Sequence, residues 1–417
     1  MGVLHEVDEQ RPYRAQTDLP DIAEYNTVSV NSIETIQKQI EHDLRTVDTK
    51  KKPIAPTLPP FLEDLYQRSI TELDENQKKT LFELLCTYQD AFSKDSNDIG
   101  FTKWVKHDVN TGQEEPVRQR PRRLRYEQRP VLQKTIDELR QQGRIRPSTS
   151  EWASNVVLVR KKQDDPTKQP EWRMCIDYRE LNMKTKNPDS YMLPRIDDTL
   201  DALSRAEYFC TLDITQGYHN VELTETAKQK TAFHVPCVNP THWEWIHMPF
   251  GLVGAPRTFQ RLMDRMLQGL EHKIALAYID DVIVYGPGID EVINNLQVVL
   301  ERLLAAGMKL KPKKCHLFRR ETTYLGHVIS HEGVKCEAKK VEAVNAWHPP
   351  KNLRALRSFL GMVCYYSKFI PQFAAVSLPL YELLKGKSKS KLIIWQKRQQ
   401  DSFEKLKKAL VTAPVLA

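Results

Sequence analysis

Two adjacent carboxylates, Asp280 and Asp281, interrupt the stretch AYIDDVIVYG that runs from Ala277 to Gly286. Apolar runs of about four to six residues flank them, too short for helices and suited to a β-hairpin with the acids at its turn. Adjacent carboxylates repel each other, and burying them unpaired is costly. Divalent cations remove that cost. An exposed turn is the ordinary place for such a dipeptide, but ordinary turns bring glycine or asparagine rather than β-branched residues on both sides. A third carboxylate, Asp213 in TLDITQGY, closes another short apolar strand. Three carboxylates at two strand ends can hold two Mg²⁺ ions, one lowering the pKa of an attacking hydroxyl and the other binding triphosphate and leaving oxygens. That is the chemistry of nucleotidyl transfer. A kinase or P-loop NTPase would need a glycine-rich phosphate loop, and neither GxGxxG nor GxxxxGK[ST] occurs.

Strands and helices around these acids interleave without a clean βαβ repeat, which favours an α+β fold over a doubly wound parallel sheet. SNVVLVRKK at 154–162 reads as a β-branched strand ending in a basic turn, with WRMCIDYREL alternating as its hairpin partner. VINNLQVVLERLLAAGMKLKPKK reads as a helix closed by Gly307 and followed by a basic strand. Leu353, Leu356, Leu360, Val363 and Tyr366 recur at helical spacing. Between Val117 and Arg146 ten Arg or Lys stand against three acids, and Val131, Leu132, Ile136 and Leu139 give the second half an apolar helix face stopped by Gly143. Two short helices are expected between residues 61 and 92, with no recognisable chemistry.

At 417 residues the chain is long enough for two to four domains. Its 40% apolar and 28% charged content is that of an ordinary soluble protein. No apolar run approaches the roughly 18 residues of a membrane span, and the N-terminus lacks a signal-peptide core. Gly2 follows the initiator Met, but His5 and Glu6 argue against lipidation. Seven scattered cysteines without a CxxC pair point to a reducing compartment and away from structural zinc. Residues 1–100 carry a balance of −8 and the remainder +16. So basic a body suits a polyanionic partner, most simply nucleic acid. The acidic segment is expected to shield the basic cleft in a precursor.

The ordered succession LPRIDDTLDALSRAEYFCTLDITQGYHNVELTETAKQKTAF, MPFGLVGAPRTFQRLMD, AYIDDVIVYG, GMKLKPKKCHLF, YLGHVIS and LRSFLGMVCYYSKFI resembles the reverse transcriptase region of Ty3/gypsy-class long-terminal-repeat retrotransposon Pol polyproteins, over residues 113–417. The resemblance implies a right-hand polymerase of fingers, palm and thumb with an antiparallel palm sheet, preceded by a small, mostly helical or disordered N-terminal region. Its boundaries would be 1–60 for an acidic, partly disordered segment with a Pro-rich linker, and 61–112 for a small helical region. Fingers and palm would take 113–290, the palm end and primer grip 291–335, and the thumb 336–390. Residues 391–417 resemble the start of a ribonuclease H-like domain, truncated before its acidic residues.

By the same resemblance Asp213, Asp280 and Asp281 are the catalytic residues and bind two Mg²⁺ ions, with Mn²⁺ able to substitute. Tyr278 would lie under the primer terminus, and Tyr218 matches an aromatic gate against the ribose 2′-hydroxyl; the bland reading is a packed core tyrosine. Lys161, or its neighbour Lys162, and Arg173 would meet the triphosphate from the fingers hairpin, where Arg offers bidentate geometry. Phe250 and Gly251 would lie under the nucleotide and template base, unless Phe250 is simply buried packing. Tyr324, Leu325, Gly326 and His327 resemble a primer grip. Arg118 to Arg129 and Lys309, Lys311, Lys313, Lys314, Arg319 and Arg320 are candidates for phosphate contacts. Val292 and Asn295 stand where this class usually carries histidines.

The implied activity is RNA-directed DNA polymerisation, extending a primer 3′-hydroxyl with deoxynucleoside triphosphates on RNA or DNA template-primer. A catalytically inactive nucleic-acid-binding remnant and a template-independent terminal transferase are the alternatives. Implied partners are template-primer, dNTPs and the other Pol domains (protease, ribonuclease H, integrase) of a longer precursor, with no membrane; the oligomeric state stays open. The implied location is cytoplasmic, in a virus-like particle or free, or nuclear.

Overall fold

A computed structural model describes residue 42 and residues 57–95, 97–160, 171–186, 191–385 and 393–412. The strands and helices that carry the candidate site belong to the unit Asp48–Ala417.

The centre is a four-stranded antiparallel sheet in the order His316–Arg319, Tyr208–Asp213, Asp281–Gly286, Ala275–Tyr278. Its strands read as continuous apolar runs because both faces are covered. Cys210, Leu212, Val282 and Val284 face the helices Ala255–Leu267 and Ile289–Ala305, which pack on this sheet. Phe209, Leu276, Ile283 and Tyr285 join a second core with Tyr324, Ile329 and the helix Leu353–Tyr365. The register places Asp281 opposite Asp213 on one side and opposite Tyr278 on the other. Two strands thus end their carboxylates at one edge of the sheet.

A five-stranded sheet holds the expected hairpin, Ser154–Arg160 antiparallel to Trp172–Ile176, beside Phe233–His234, His242–Trp245 and Ile145–Pro147. A third, three-stranded meander runs Glu321–Tyr324, His327–Ser330, Gly333–Cys336. The fold is therefore α+β with predominantly antiparallel sheets, Ser154–Arg160 and Phe233–His234 being a parallel exception. Among the described residues no helix is long and apolar enough to cross a membrane.

Ile289–Ala305 buries Val292, Ile293, Leu296, Val299, Leu300 and Leu303 on one stripe, as the helical spacing requires. Gly307, at φ 69°, lets the chain turn back, and a Cβ there would stand 2.1 Å from the Phe101 carbonyl. The basic strand expected after it is a correction: residues 312–314 form a 3₁₀ turn, and the strand begins at His316. Pro312 cannot donate to a ladder, which ends the extended reading.

The helices Pro60–Ser69 and Glu75–Thr87 form as the apolar spacing indicates, the second opened by a reciprocal cap between Asp74 and Gln77. The first packs on the central sheet's edge strand His316–Arg319 and the second on the helix Ile289–Ala305. Arg68 donates to the carbonyls of Pro312 and Cys315, both at 3.0 Å, and Tyr88 donates to Glu301 at 2.6 Å. Further on, Thr102–His107 pairs in parallel with Val221–Leu223.

Candidate active site

The hairpin turn consists of Ile279 and Asp280, and Asp281 opens the outgoing strand. Ile279 adopts φ 55°, a left-handed conformation that costs a β-branched residue about 1–2 kcal/mol. Gln260, fully buried on Ala255–Leu267, holds the turn in that shape. Its Oε1 accepts from the Ile279 N–H at 2.7 Å, and its Nε2 donates to the Ala277 carbonyl at 3.0 Å and to Asp264 at 2.7 Å.

Asp281 keeps an open residue surface. Packing around its carboxyl, then the charges of Asp280 and Asp213, push its pKa up to about 6, against a downward pull from Lys314. The open surface limits the part due to desolvation, so like-charge crowding is the firmer cause. Lys314 Nζ lies 2.7 Å from Asp213 Oδ2. Among the described residues no three His, Cys, Asp or Glu side chains stand already in metal-ligating geometry. The donor set nevertheless fits a hard divalent cation: three carboxylates, converging from adjacent strand ends, whose mutual repulsion such an ion relieves.

After Asp213 the chain makes a compact loop. Asn220 is fully buried, and its Nδ2 donates to the carbonyls of Thr215 at 3.0 Å, Gln216 at 3.3 Å and Gly217 at 3.0 Å. Gln216 turns left-handed at φ 48° and accepts from the buried Arg144 at 2.5 Å. A Cβ on Gly217 would meet the Phe259 ring at 2.9 Å, so the loop lies directly on that ring. Tyr218 is thereby set half-buried against Phe259 at 5.6 Å and against Phe250 at 5.0 Å. Burial first, then Asp280, raise its hydroxyl pKa to about 12, so the phenol stays neutral.

Residues 159–329 match the family described as reverse transcriptase (RNA-dependent DNA polymerase). The chain contains a reverse transcriptase domain. It is 34% identical over 354 residues to the retrovirus-related Pol polyprotein from transposon 297 of Drosophila melanogaster, covering 85% of this chain and 33% of that protein. The corresponding polyprotein from the Drosophila melanogaster transposon gypsy is 32% identical, with 82% and 33% covered. The chain thus spans about a third of the length of these curated relatives. Among solved structures, a foamy viral protease-reverse transcriptase in complex with RNA/DNA hybrid superposes with TM-score 0.71 at 26% identity, covering 88% of this chain and 48% of that one. A dRH form of it with double-stranded DNA reaches TM-score 0.74, with 88% and 63% covered.

Within the reverse transcriptase domain the expected residues fall into groups. Asp213 and Asp281 are register partners, Asp280 is close enough to Tyr218 to raise its pKa, and Tyr218 packs on Phe250, which precedes Gly251 and is 59% exposed rather than core packing. Gly251, at φ 97°, is held by Asn182, which donates to its carbonyl at 2.8 Å and accepts from Val253 N–H at 3.0 Å. Arg173 is exposed on the hairpin and forms no ion pair among the described residues. Lys161 and Lys162 lie outside the described residues, as does all of residues 1–47 except His42.

The YLGH segment divides. Tyr324 is 3% exposed and donates to the Asp281 carbonyl at 3.2 Å, while His327 is 1% exposed and stacks with Tyr365 and Phe369. Only Leu325 and Gly326, both left-handed, present the tip of that turn. Tyr324 therefore supports the Asp281 strand from behind.

Several expected phosphate contacts are occupied by protein. Lys309 pairs with Asp98 at 2.5 Å, Arg320 pairs with Glu72 and lies over the Tyr208 ring, and Arg319 donates to the Arg68 carbonyl. Arg118 and Arg122 pair with Glu151 and Asp177. Gln260, Asn220, Asn182 and the Lys314–Asp213 pair were not indicated by sequence. Each of the three amides is a lone polar residue in an ordinary-looking element that no spacing marks, and Lys314 and Asp213 are about a hundred residues apart in the chain.

Proposed function

We propose that this chain is an RNA-directed DNA polymerase that extends a primer 3′-hydroxyl with deoxynucleoside triphosphates on RNA or DNA template. The observation that carries the proposal is the register of Asp281 against Asp213, with Asp280 at the adjoining turn and the Tyr218–Phe250 shelf beside them. Asp213, Asp280 and Asp281 would hold two divalent ions, Mg²⁺ or Mn²⁺. When bound, these supply activation of the 3′-hydroxyl and charge neutralisation at the triphosphate.

The chain's own residues do the rest. Tyr218 presents a ring edge where a 2′-hydroxyl would clash, its loop fixed by Asn220 and Arg144. Phe250 offers an apolar surface beneath the nucleotide, and Gly251 lets the backbone approach the template base. Arg173, exposed on the hairpin, reaches the triphosphate with Lys161, and Leu325 and Gly326 meet the primer terminus near Tyr278. Arg120, Arg123 and Arg125 hold template phosphates through salt-sensitive, sequence-independent contacts. Residues 113–290 serve as fingers and palm and 336–390 as thumb. The relatives' description as Pol polyproteins supports a chain that works with further domains of a longer protein.

The test is primer extension on an RNA template with a DNA primer, in Mg²⁺ and separately in Mn²⁺, with Asp281→Asn alongside. Template-directed products from the parent but not the variant, with primer-template binding retained, are the expected result. An active Asp281→Asn variant would overturn the mechanism. Binding without any extension by the parent would favour a nucleic-acid-binding remnant.

A further inference from the structure

Three carboxylates gathered at one sheet edge repel each other, so a centre without metal needs a counter-charge. Among the described residues Lys314 is the cation that makes an ion pair with any of the three, at 2.7 Å to Asp213 Oδ2. Its side chain is 57% exposed, so it can swing into solvent without opening the core.

The backbone around it is fixed from both sides. Lys311 N–H donates to the Asp213 carbonyl at 2.8 Å, and Lys314 N–H donates back to the Lys311 carbonyl at 3.0 Å. From the helix Pro60–Ser69, Arg68 takes the carbonyls on either side of the lysine pair: Nη2 donates to Pro312 and Nη1 to Cys315, each at 3.0 Å. Asp64 orients that guanidinium at 2.9 Å. A planar fork is suited to hold two fixed carbonyls at once. Helix 60–69 therefore sets the turn from which Lys314 reaches the carboxylates.

We infer that Lys314 is the resident counter-ion of the metal-free carboxylate centre, exchanging with the divalent cation, and that Arg68 is the positioning residue that presents it. The inference rests on the proposed metal centre. An ammonium contributes one charge on a mobile stem, whereas a divalent ion satisfies several carboxylate oxygens together, so the ion wins the exchange. Lys314 lowers apparent metal affinity and in return stabilises the metal-free protein.

Full-length chain without nucleic acid or nucleotide is titrated with Mn²⁺, free ion being followed by electron paramagnetic resonance, and thermal unfolding is recorded with and without Mn²⁺. Lys314→Met and Lys314→Gln should bind Mn²⁺ roughly fivefold more tightly than the parent, the scale of a partly exposed ion pair. Their unfolding temperatures should lie below the parent's without metal and rise more on adding it. Arg68→Ala should tighten Mn²⁺ binding in the same direction by a smaller factor. Unchanged or weaker Mn²⁺ binding in both Lys314 variants would overturn the exchange. Mn²⁺ affinity unaltered by Asp213→Asn would instead overturn the metal centre on which it rests.

Discussion

Gln260 Oε1 accepts the backbone N–H of Ile279 at 2.7 Å, so a buried side chain on one element dictates the left-handed turn that carries Asp280. The same amide donates to Ala277 and Asp264, which uses both its protons. Strain in a β-branched residue persists only when the surroundings over-determine it, and Gln260 is what does so here. Gln260→Leu, close in volume, removes the hydrogen bonds without a large cavity. It should destabilise the protein by about 2 kcal/mol, since it leaves backbone groups unpaired. Primer extension in single-turnover mode should slow by at least about tenfold, because the turn can then relax. A Gln260→Leu variant extending at the parent rate would show that the amide serves packing alone.

Tyr218 lies half-buried between Phe250 and Phe259, and its phenol, raised to about 12, is neutral across the working range. If its ring excludes the 2′-hydroxyl, Tyr218→Val should raise ribonucleotide over deoxynucleotide incorporation by at least about tenfold, while Tyr218→Phe leaves the ratio near the parent value. The ratio of kcat/KM for the two sugars decides it. No change in that ratio would return Tyr218 to ordinary packing.

What the sequence made legible was local. Asp280 and Asp281 stand out because apolar runs flank them, and the strand pair 154–160 and 172–176 because a β-branched run is followed closely by an alternating one. The partners of charged residues were not legible, since they are far away along the chain: Lys309 meets Asp98 and Arg320 meets Glu72, so two expected phosphate contacts became structural. Tyr324 and His327 read as a grip motif, yet they are buried by the core they share with the helix 353–365 and the residues just after it, which no local pattern reveals. Gln260 carries no local signal in the sequence; its burial goes with the hydrogen bonds it makes to the turn at Ile279 and to Ala277.

Asn220 gathers three successive carbonyls of the loop between Asp213 and Tyr218. Asn220→Asp replaces the donor amide with an oxygen facing those carbonyls and buries a charge. That should cost more than Asn220→Ala, which itself should destabilise by roughly 2–3 kcal/mol. Urea unfolding ranks the two. Because the loop carries Tyr218, Asn220→Ala should also loosen sugar selection, and equal stability of the two variants would remove the hydrogen-bond explanation.

Asp177 ties two segments together: it accepts from Arg179 at 2.7 Å and Arg122 at 3.1 Å, and its side chain is 7% exposed. The Arg179 hydrogen bond is the largest influence, and with desolvation opposing it the carboxyl still falls to about 2. A folded pKa below the unfolded value of about 3.9 means that the stabilisation is full above about pH 4 and is lost as pH falls towards 2. Both arginines are largely solvent-exposed, so the contribution is discounted to about 1 kcal/mol. Asp177→Asn should therefore unfold at lower urea than the parent at about pH 7, with the gap closing between about pH 4 and pH 2. A gap of constant size across that window would mean that the asparagine disturbs packing and that the carboxylate charge is not what holds Arg122 and Arg179.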